Sequence, residues 1–106
     1  MDIRVSLSTE DTATLLTENL VHGSISAERI DHYVAGNVRV MVFEKYFMRN
    51  SSRASLTVVV HPDERGATAV HSVGSGGGQN ALFKFDWGAG SSFSNSVEKI
   101  LEQYII

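Results

Sequence analysis

The chain has 106 residues, a net charge of −3, 42% apolar residues and no cysteine. The length is typical of one domain covering residues 1–106, and the absence of cysteine excludes disulfides, thiolate nucleophiles and cysteine-ligated zinc. The acidic balance argues against nucleic acid as a partner, and no apolar run approaches the ~20 residues of a membrane-spanning helix, so we expect a cytoplasmic protein without a membrane partner.

The first part of the chain predicts a short strand followed by a helix. Ile3, Val5 and Leu7 alternate with polar residues, which is the period of a half-buried strand. Ser8 or Thr9 can cap a helix whose apolar stripe ends before Gly23, a residue that favours helix termination. The stripe consists of Ala13, Leu16 and Leu20, with Leu15 and Val21 beside them.

Alternating segments joined by short turns then predict five further strands. Gly36-Asn37 and Pro62–Gly66 are the strongest turn signals between them. Short links of this kind favour antiparallel pairing of consecutive strands. The predicted strands are Ser24–Val34, Val38–Met48, Ala54–His61, Ala67–Val73 and Ala81–Trp87.

The C-terminal segment shows the clearest helical period in the chain. Ser91 or Ser92 can cap it, and its apolar positions are Phe93, Val97, Ile100, Leu101, Tyr104 and Ile105. Two amphipathic helices can cover one face of an antiparallel meander. We therefore predict an α+β two-layer sandwich of five to six strands with both helices on one face, in the order β-α-β-β-β-β-β-α.

The segment Val38–Met48 is apolar on both faces, which is typical of a central or covered strand. Val38, Val40 and Val42 belong to one face, which we assign to the helices. Met41, Phe43 and Phe47 belong to the other face. If that second face stays uncovered, these three residues form an apolar patch that suits a homodimer interface.

Four of the nine glycines lie in the stretch Gly74–Asn80. A phosphate-binding loop requires a helix after the glycines, whereas a predicted strand follows here. We interpret the stretch as a wide connection between two strands. Its backbone and the two polar side chains that follow are the candidate ligand site, consisting of Gly76, Gly77, Gly78, Gln79 and Asn80.

The sequence gives little support for any other catalytic or cofactor-binding motif. His22, His32, His61 and His71 show no metal-ligand spacing, so we expect no metal and no cofactor. No nucleophile elbow and no paired carboxylates in one pocket are indicated, and we name no catalytic residue. An enzyme is therefore less favoured than a binding protein.

Two runs, Arg53–Val58 and Ser72–Phe85, resemble a group of small bacterial proteins, mostly from Gram-positive organisms, known as a domain of unknown function. In that group a similar run of Ser-Gly-Gly, then Gln, then Phe-Lys lies between two strands and precedes an amphipathic helix. The resemblance implies a bacterial, cytoplasmic, single-domain protein. It implies no activity, cofactor or catalytic residue.

The sequence thus favours a non-enzymatic binding or assembly module that forms a homo-oligomer. The first alternative is a small-molecule-binding domain with an apolar pocket between the sheet and the helices. The second is a small enzyme that holds an anionic group at the glycine-rich loop.

Overall fold

A five-stranded antiparallel sheet carries the fold, with its strands in the spatial order β1-β5-β4-β3-β2. The computed structural model describes residues 1–47, 51–76, 93 and 95–106. Strands β2 to β5 form a meander, and β1 pairs with β5 at the far edge. The strands are β1 (Asp2–Val5), β2 (Glu28–Ala35), β3 (Val38–Phe47), β4 (Ser52–Pro62) and β5 (Thr68–Gly76).

Helix α1 (Thr9–Val21) begins where the sequence predicts. The Ser8 hydroxyl accepts a 3.0 Å hydrogen bond from the Asp11 amide, which satisfies one of the free N–H groups of the first turn. Glu10 and Asp11 complement the positive end of the helix dipole. A Cβ on Gly23 would lie 2.4 Å from the Asn19 carbonyl oxygen, so the chain passes close to the helix end there.

A second helix, α2, covers residues 95–101 with Phe93 also helical, and a 3₁₀ turn (Glu102–Tyr104) follows it. Both helices pack on the same face of the sheet, where Leu16 and Leu101 are fully buried. Their apolar stripes meet inward-facing residues of β3, β4 and β5 in one core. This arrangement confirms the predicted α+β two-layer sandwich. The largest sheet side chains of the core are Phe43, Met41, Leu56, Val58, Val60 and Val70.

The chain end differs from the prediction of a helix that continues to Ile105. Ile105 instead forms an isolated antiparallel bridge with Val5. The Ser6 amide donates to the Tyr104 carbonyl (2.9 Å), and the Ile106 amide donates to the Arg4 carbonyl (3.0 Å). These bonds satisfy the outer edge of β1, which favours an extended tail over another helical turn.

The predicted strand Ala81–Trp87 and the predicted caps Ser91 and Ser92 lie outside the described residues. Neither helix in the described part of the chain has the length and hydropathy required to span a bilayer.

Candidate functional site

The structure reverses the predicted assignment of the two faces of β3. Met41 and Phe43 are fully buried beneath the helices, and Phe47 is partly buried against the same core. The valines of β3 lie on the opposite face. Met41 and Phe43 therefore contribute no accessible surface to a dimer interface. The reason is size, because the larger side chains fill the space between the sheet and the helices.

The predicted ligand site at the glycine-rich stretch falls mostly outside the described residues. Gly77, Gly78, Gln79 and Asn80 belong to the part that the structure leaves undescribed. Gly76 is the last residue of β5 and pairs with Ala54, while Gly74 pairs with Leu56. The first part of the stretch that we predicted to be a connection, from Gly74 to Gly76, therefore belongs to β5, because β4 is long enough to pair with it there.

The sheet face that points away from both helices is hereafter called the open face. Its apolar part consists of two rows of laterally paired residues, which are bounded by His71 of β5 and Asp31 of β2. In the first row Tyr33 pairs with Val40 and Val40 pairs with Val59. In the second row Val42 pairs with Thr57 and Thr57 pairs with Val73. Tyr33 and Val73 are 61% and 51% exposed, so this apolar surface lies open among the described residues.

Three pairs of interacting ionisable groups lie toward the margins of the open face, whereas Asp31 faces the same way beside Val42 without an ion-pair partner in the described structure. Arg53 forms an ion pair with Glu44, and Arg4 forms one with Asp63. The His71 Nδ1 atom lies 2.7 Å from the Asp2 carboxylate, and this hydrogen bond lowers the pKa of Asp2. The pairing reduces the cost of covering these groups by another surface, because each charge already has a partner.

Asp63 has the most extensive set of hydrogen bonds among these groups. Its pKa is lowered because Arg4 donates to the carboxylate, as do the amides of Arg65 (2.8 Å) and Ala67 (3.0 Å). Each donor stabilises the charged form of the carboxylate. Asp63 thereby fixes the turn between β4 and β5, which holds two strands of the open face in register.

A second candidate site is a cavity of about 280 Å³ between α1 and the β2–β3 hairpin. We call it the α1–β3 pocket. Its lining includes Thr17, Glu18 and His22 on the helix side and Arg29, His32 and Arg39 on the sheet side.

The strand register explains why the three sheet residues lie together. Arg29 pairs with Phe43, His32 with Met41 and Arg39 with Val34, so all three face α1. The Arg29 Nη1 atom donates a 3.1 Å hydrogen bond to the Thr17 hydroxyl.

His32 is the most perturbed group of the α1–β3 pocket. Burial lowers the pKa of His32, and the positive charges of Arg29 and Arg39 lower it further. Its Nε2 atom is shielded from solvent and has no hydrogen-bond partner in the described structure. The pocket therefore combines two cations with a neutral imidazole that still has hydrogen-bonding capacity.

A third cavity, of about 260 Å³, lies between α2 and the end of β3. Ile25, Phe47 and Phe93 supply apolar walls, and the Lys45 ammonium lies 5.6 Å from the centre of the Phe47 ring. This is the arrangement that the ligand-binding alternative requires, namely an apolar pocket between sheet and helix.

The four histidines separate into two pairs. His22 and His32 line the α1–β3 pocket, whereas His71 lies on β5 beside β1 and His61 lies on β4. Within the described ranges no three metal-ligating side chains come together.

Sequence reasoning missed the α1–β3 pocket. Its residues are spread from Thr17 to Arg39, and none belongs to a recognisable motif. No alternation signalled it, because Arg29 and His32 are three residues apart and would face opposite ways in a regular strand. They share a face only because of the register shift between Arg29 and Asp31, which is known only from the pairing with β3.

The described part of the chain is thus a small two-layer α+β protein with an open antiparallel sheet face and a cationic pocket beneath one helix. Residues 1–105 match the model of a family of unknown function, DUF6054, and the chain belongs to that family. Comparison with curated proteins and with solved structures finds no match.

Proposed function

We propose that this protein is a non-enzymatic assembly module that forms a homodimer through the open face of its sheet. The observation that carries the proposal is the apolar part of that face, where Tyr33 and Val73 are more than half exposed. An antiparallel sheet with one solvated face usually carries polar residues there, whereas β-branched and aromatic residues occupy the centre of this one.

The size of the open face suits a second copy of the chain. Five strands of mostly eight to eleven residues span an area on the order of 700 Å². A stable protein–protein interface buries about 800 Å² per partner. Two such faces related by a two-fold axis can stack at about 10 Å, as the layers of β-sandwiches do.

The test is light scattering after size exclusion at tens of micromolar. The wild-type chain of 11.6 kDa should elute with twice that mass. Val73→Lys places a charge on the open face and should give a monomer. Val34→Lys is the matched control, because Val34 is 49% exposed in a strand but faces the opposite way, beside Arg39. Circular dichroism confirms that both variants fold.

A monomeric wild-type chain would overturn the proposal. So would equal dissociation of the Val73→Lys and Val34→Lys variants, because the effect would then not depend on the face that is altered.

The ligand-binding alternative rests on the cavity beside Phe47 and Phe93. Its volume of about 260 Å³ lies near the lower end for small-molecule sites, so self-association is the better supported function. A thermal-shift titration with a short-chain fatty acid tests the alternative. A saturable rise of the melting temperature that Phe47→Ser abolishes would support it.

The enzyme alternative rests on residues 77–80 and stays a prediction from the sequence. A response to nucleotides or sugar phosphates that Gly77→Val removes would support a site at that stretch.

A further inference from the structure

We propose that the α1–β3 pocket binds a phosphate group, held by Arg29 and Arg39 with His32 as an additional hydrogen-bond donor. The proposal does not depend on dimerisation, because the pocket lies on the helix side of the sheet and the open face on the other side. The phosphate can be free or the end group of a small phosphorylated molecule.

The two arginines supply the charge. They come from neighbouring strands, both line the pocket, and both act electrostatically on His32, so two positive charges lie near that ring. The hydrogen bond from Arg29 to Thr17 orients one of them without neutralising it, since the hydroxyl is uncharged. A planar guanidinium donates two parallel hydrogen bonds to an oxyanion, which favours arginine at phosphate sites.

His32 supplies the second observation. Its Nε2 atom is buried and lacks a partner in the described structure, which is a costly state for a polar atom. With the proton on Nε2, the neutral imidazole can donate to a phosphate oxygen when the ring turns this shielded atom toward the cavity. The same anion would offset the mutual repulsion of the two arginine charges.

Three features near the pocket oppose an anion. Glu18 lines it, Asp31 acts electrostatically on His32, and His22 marks the negative end of the α1 dipole at its border. Among the residues that line the pocket, two arginine charges exceed the one carboxylate charge, and the loss of either arginine removes this excess. Binding should therefore be sensitive to the loss of either arginine and should improve when Glu18 is neutralised.

The donor set favours phosphate over carboxylate. Two guanidinium groups and one imidazole offer more donors than the two oxygens of a carboxylate accept, whereas a phosphate dianion accepts from all of them. The volume of about 280 Å³ accommodates a phosphate with a small attached group.

The test is a titration of the ¹⁵N-labelled protein with inorganic phosphate, followed by amide chemical shifts at constant pH and ionic strength. Saturable shifts should appear at α1, β2 and β3. Arg39→Gln should weaken binding about tenfold or more, as expected for loss of a hydrogen-bonded charge. Glu18→Gln should tighten it, a gain that misfolding cannot produce.

Arg53→Gln is the matched control. Arg53 is an exposed cation of the open face, so its substitution should leave the affinity for phosphate unchanged. A parallel titration with glycerol phosphate distinguishes a phosphorylated molecule from free phosphate as the ligand. If glycerol phosphate binds more tightly than inorganic phosphate, the ligand is a phosphorylated molecule. If the two bind equally, the ligand is the free anion. The monomeric Val73→Lys variant should bind as the wild type does.

Absence of saturable shifts in the wild type would overturn the proposal. An equal loss of affinity in Arg39→Gln and Arg53→Gln would also overturn it, because it would reveal general charge attraction. Acetate binding as tight as that of phosphate would overturn the assignment of the ligand class.

Discussion

Phe43 and Tyr46 lie three residues apart on β3 and project from opposite faces of the sheet. Phe43 is fully buried against the helices, whereas Tyr46 is 49% exposed on the open face. The two residues thus mark the packed side and the uncovered side of the same strand.

Truncation of these two aromatic residues should have unequal effects on stability. Phe43→Ala should lower the free energy of unfolding by about 3–5 kcal/mol, because it removes a core ring and leaves a cavity. Tyr46→Ala should cost about 1 kcal/mol or less, since it removes only an exposed ring and its contact with Arg53. Urea unfolding of both variants measures the difference. Similar losses would contradict the observed assignment of faces.

The helix N-cap provides a second prediction. Ser8→Ala should destabilise the protein by about 1 kcal/mol, because the Asp11 amide loses its acceptor. Thr9→Ala is the control, since Thr9 is the first helical residue and was the other cap candidate in the sequence. Thermal unfolding followed at 222 nm compares the two. A larger effect at Thr9 would show that the cap is assigned to the wrong residue.

Asp63 should make stability sensitive to acid. Its folded-state pKa lies below the ordinary value of 3.8, so the folded chain binds fewer protons than the unfolded chain in this range. The stabilisation is therefore complete above about pH 4 and is lost as the pH falls through the folded-state value. Asp63→Asn should lower the urea midpoint at pH 7, and its difference from the wild type should shrink toward pH 2. A difference that stays constant with pH would contradict this origin.

Protonation of His32 should change the free energy of unfolding in a higher pH range than that of Asp63. Its folded-state pKa lies below the ordinary value of 6.5, because of burial and the charges of Arg29 and Arg39, so the unfolded chain takes up a proton first as the pH falls. The free energy of unfolding should decrease below about pH 6.5 until the folded-state value is passed. Asp31, Glu18 and His22 are the other titratable groups near this ring or in its pocket. His32→Gln should flatten the dependence between pH 7 and pH 5, as measured by urea midpoints. An unchanged slope would show that His32 is not its source.

Much of the fold follows from local pattern. The alternation in β3, β4 and β5, the cap at Ser8 and the apolar period around Val97 each predict the element that forms there. These features depend on residues close together in sequence, so a single chain is sufficient to recognise them. The predicted ends were less accurate: β5 continues to Gly76, and Ile105 leaves the helix to pair with Val5. In both cases pairing with a distant strand overrides the local preference.

The sequence alone was sufficient for the α+β class, the helix start and the amphipathic faces, because each depends on the period of apolar residues along a short segment. It did not determine which side of β3 is buried, because both sides are apolar and only the volume available beneath the helices favours Met41 and Phe43. Nor did it determine the α1–β3 pocket. Arg29, His32 and Arg39 share that pocket only because the register of β2 with β3 turns all three toward α1, and such a register is a property of the folded sheet.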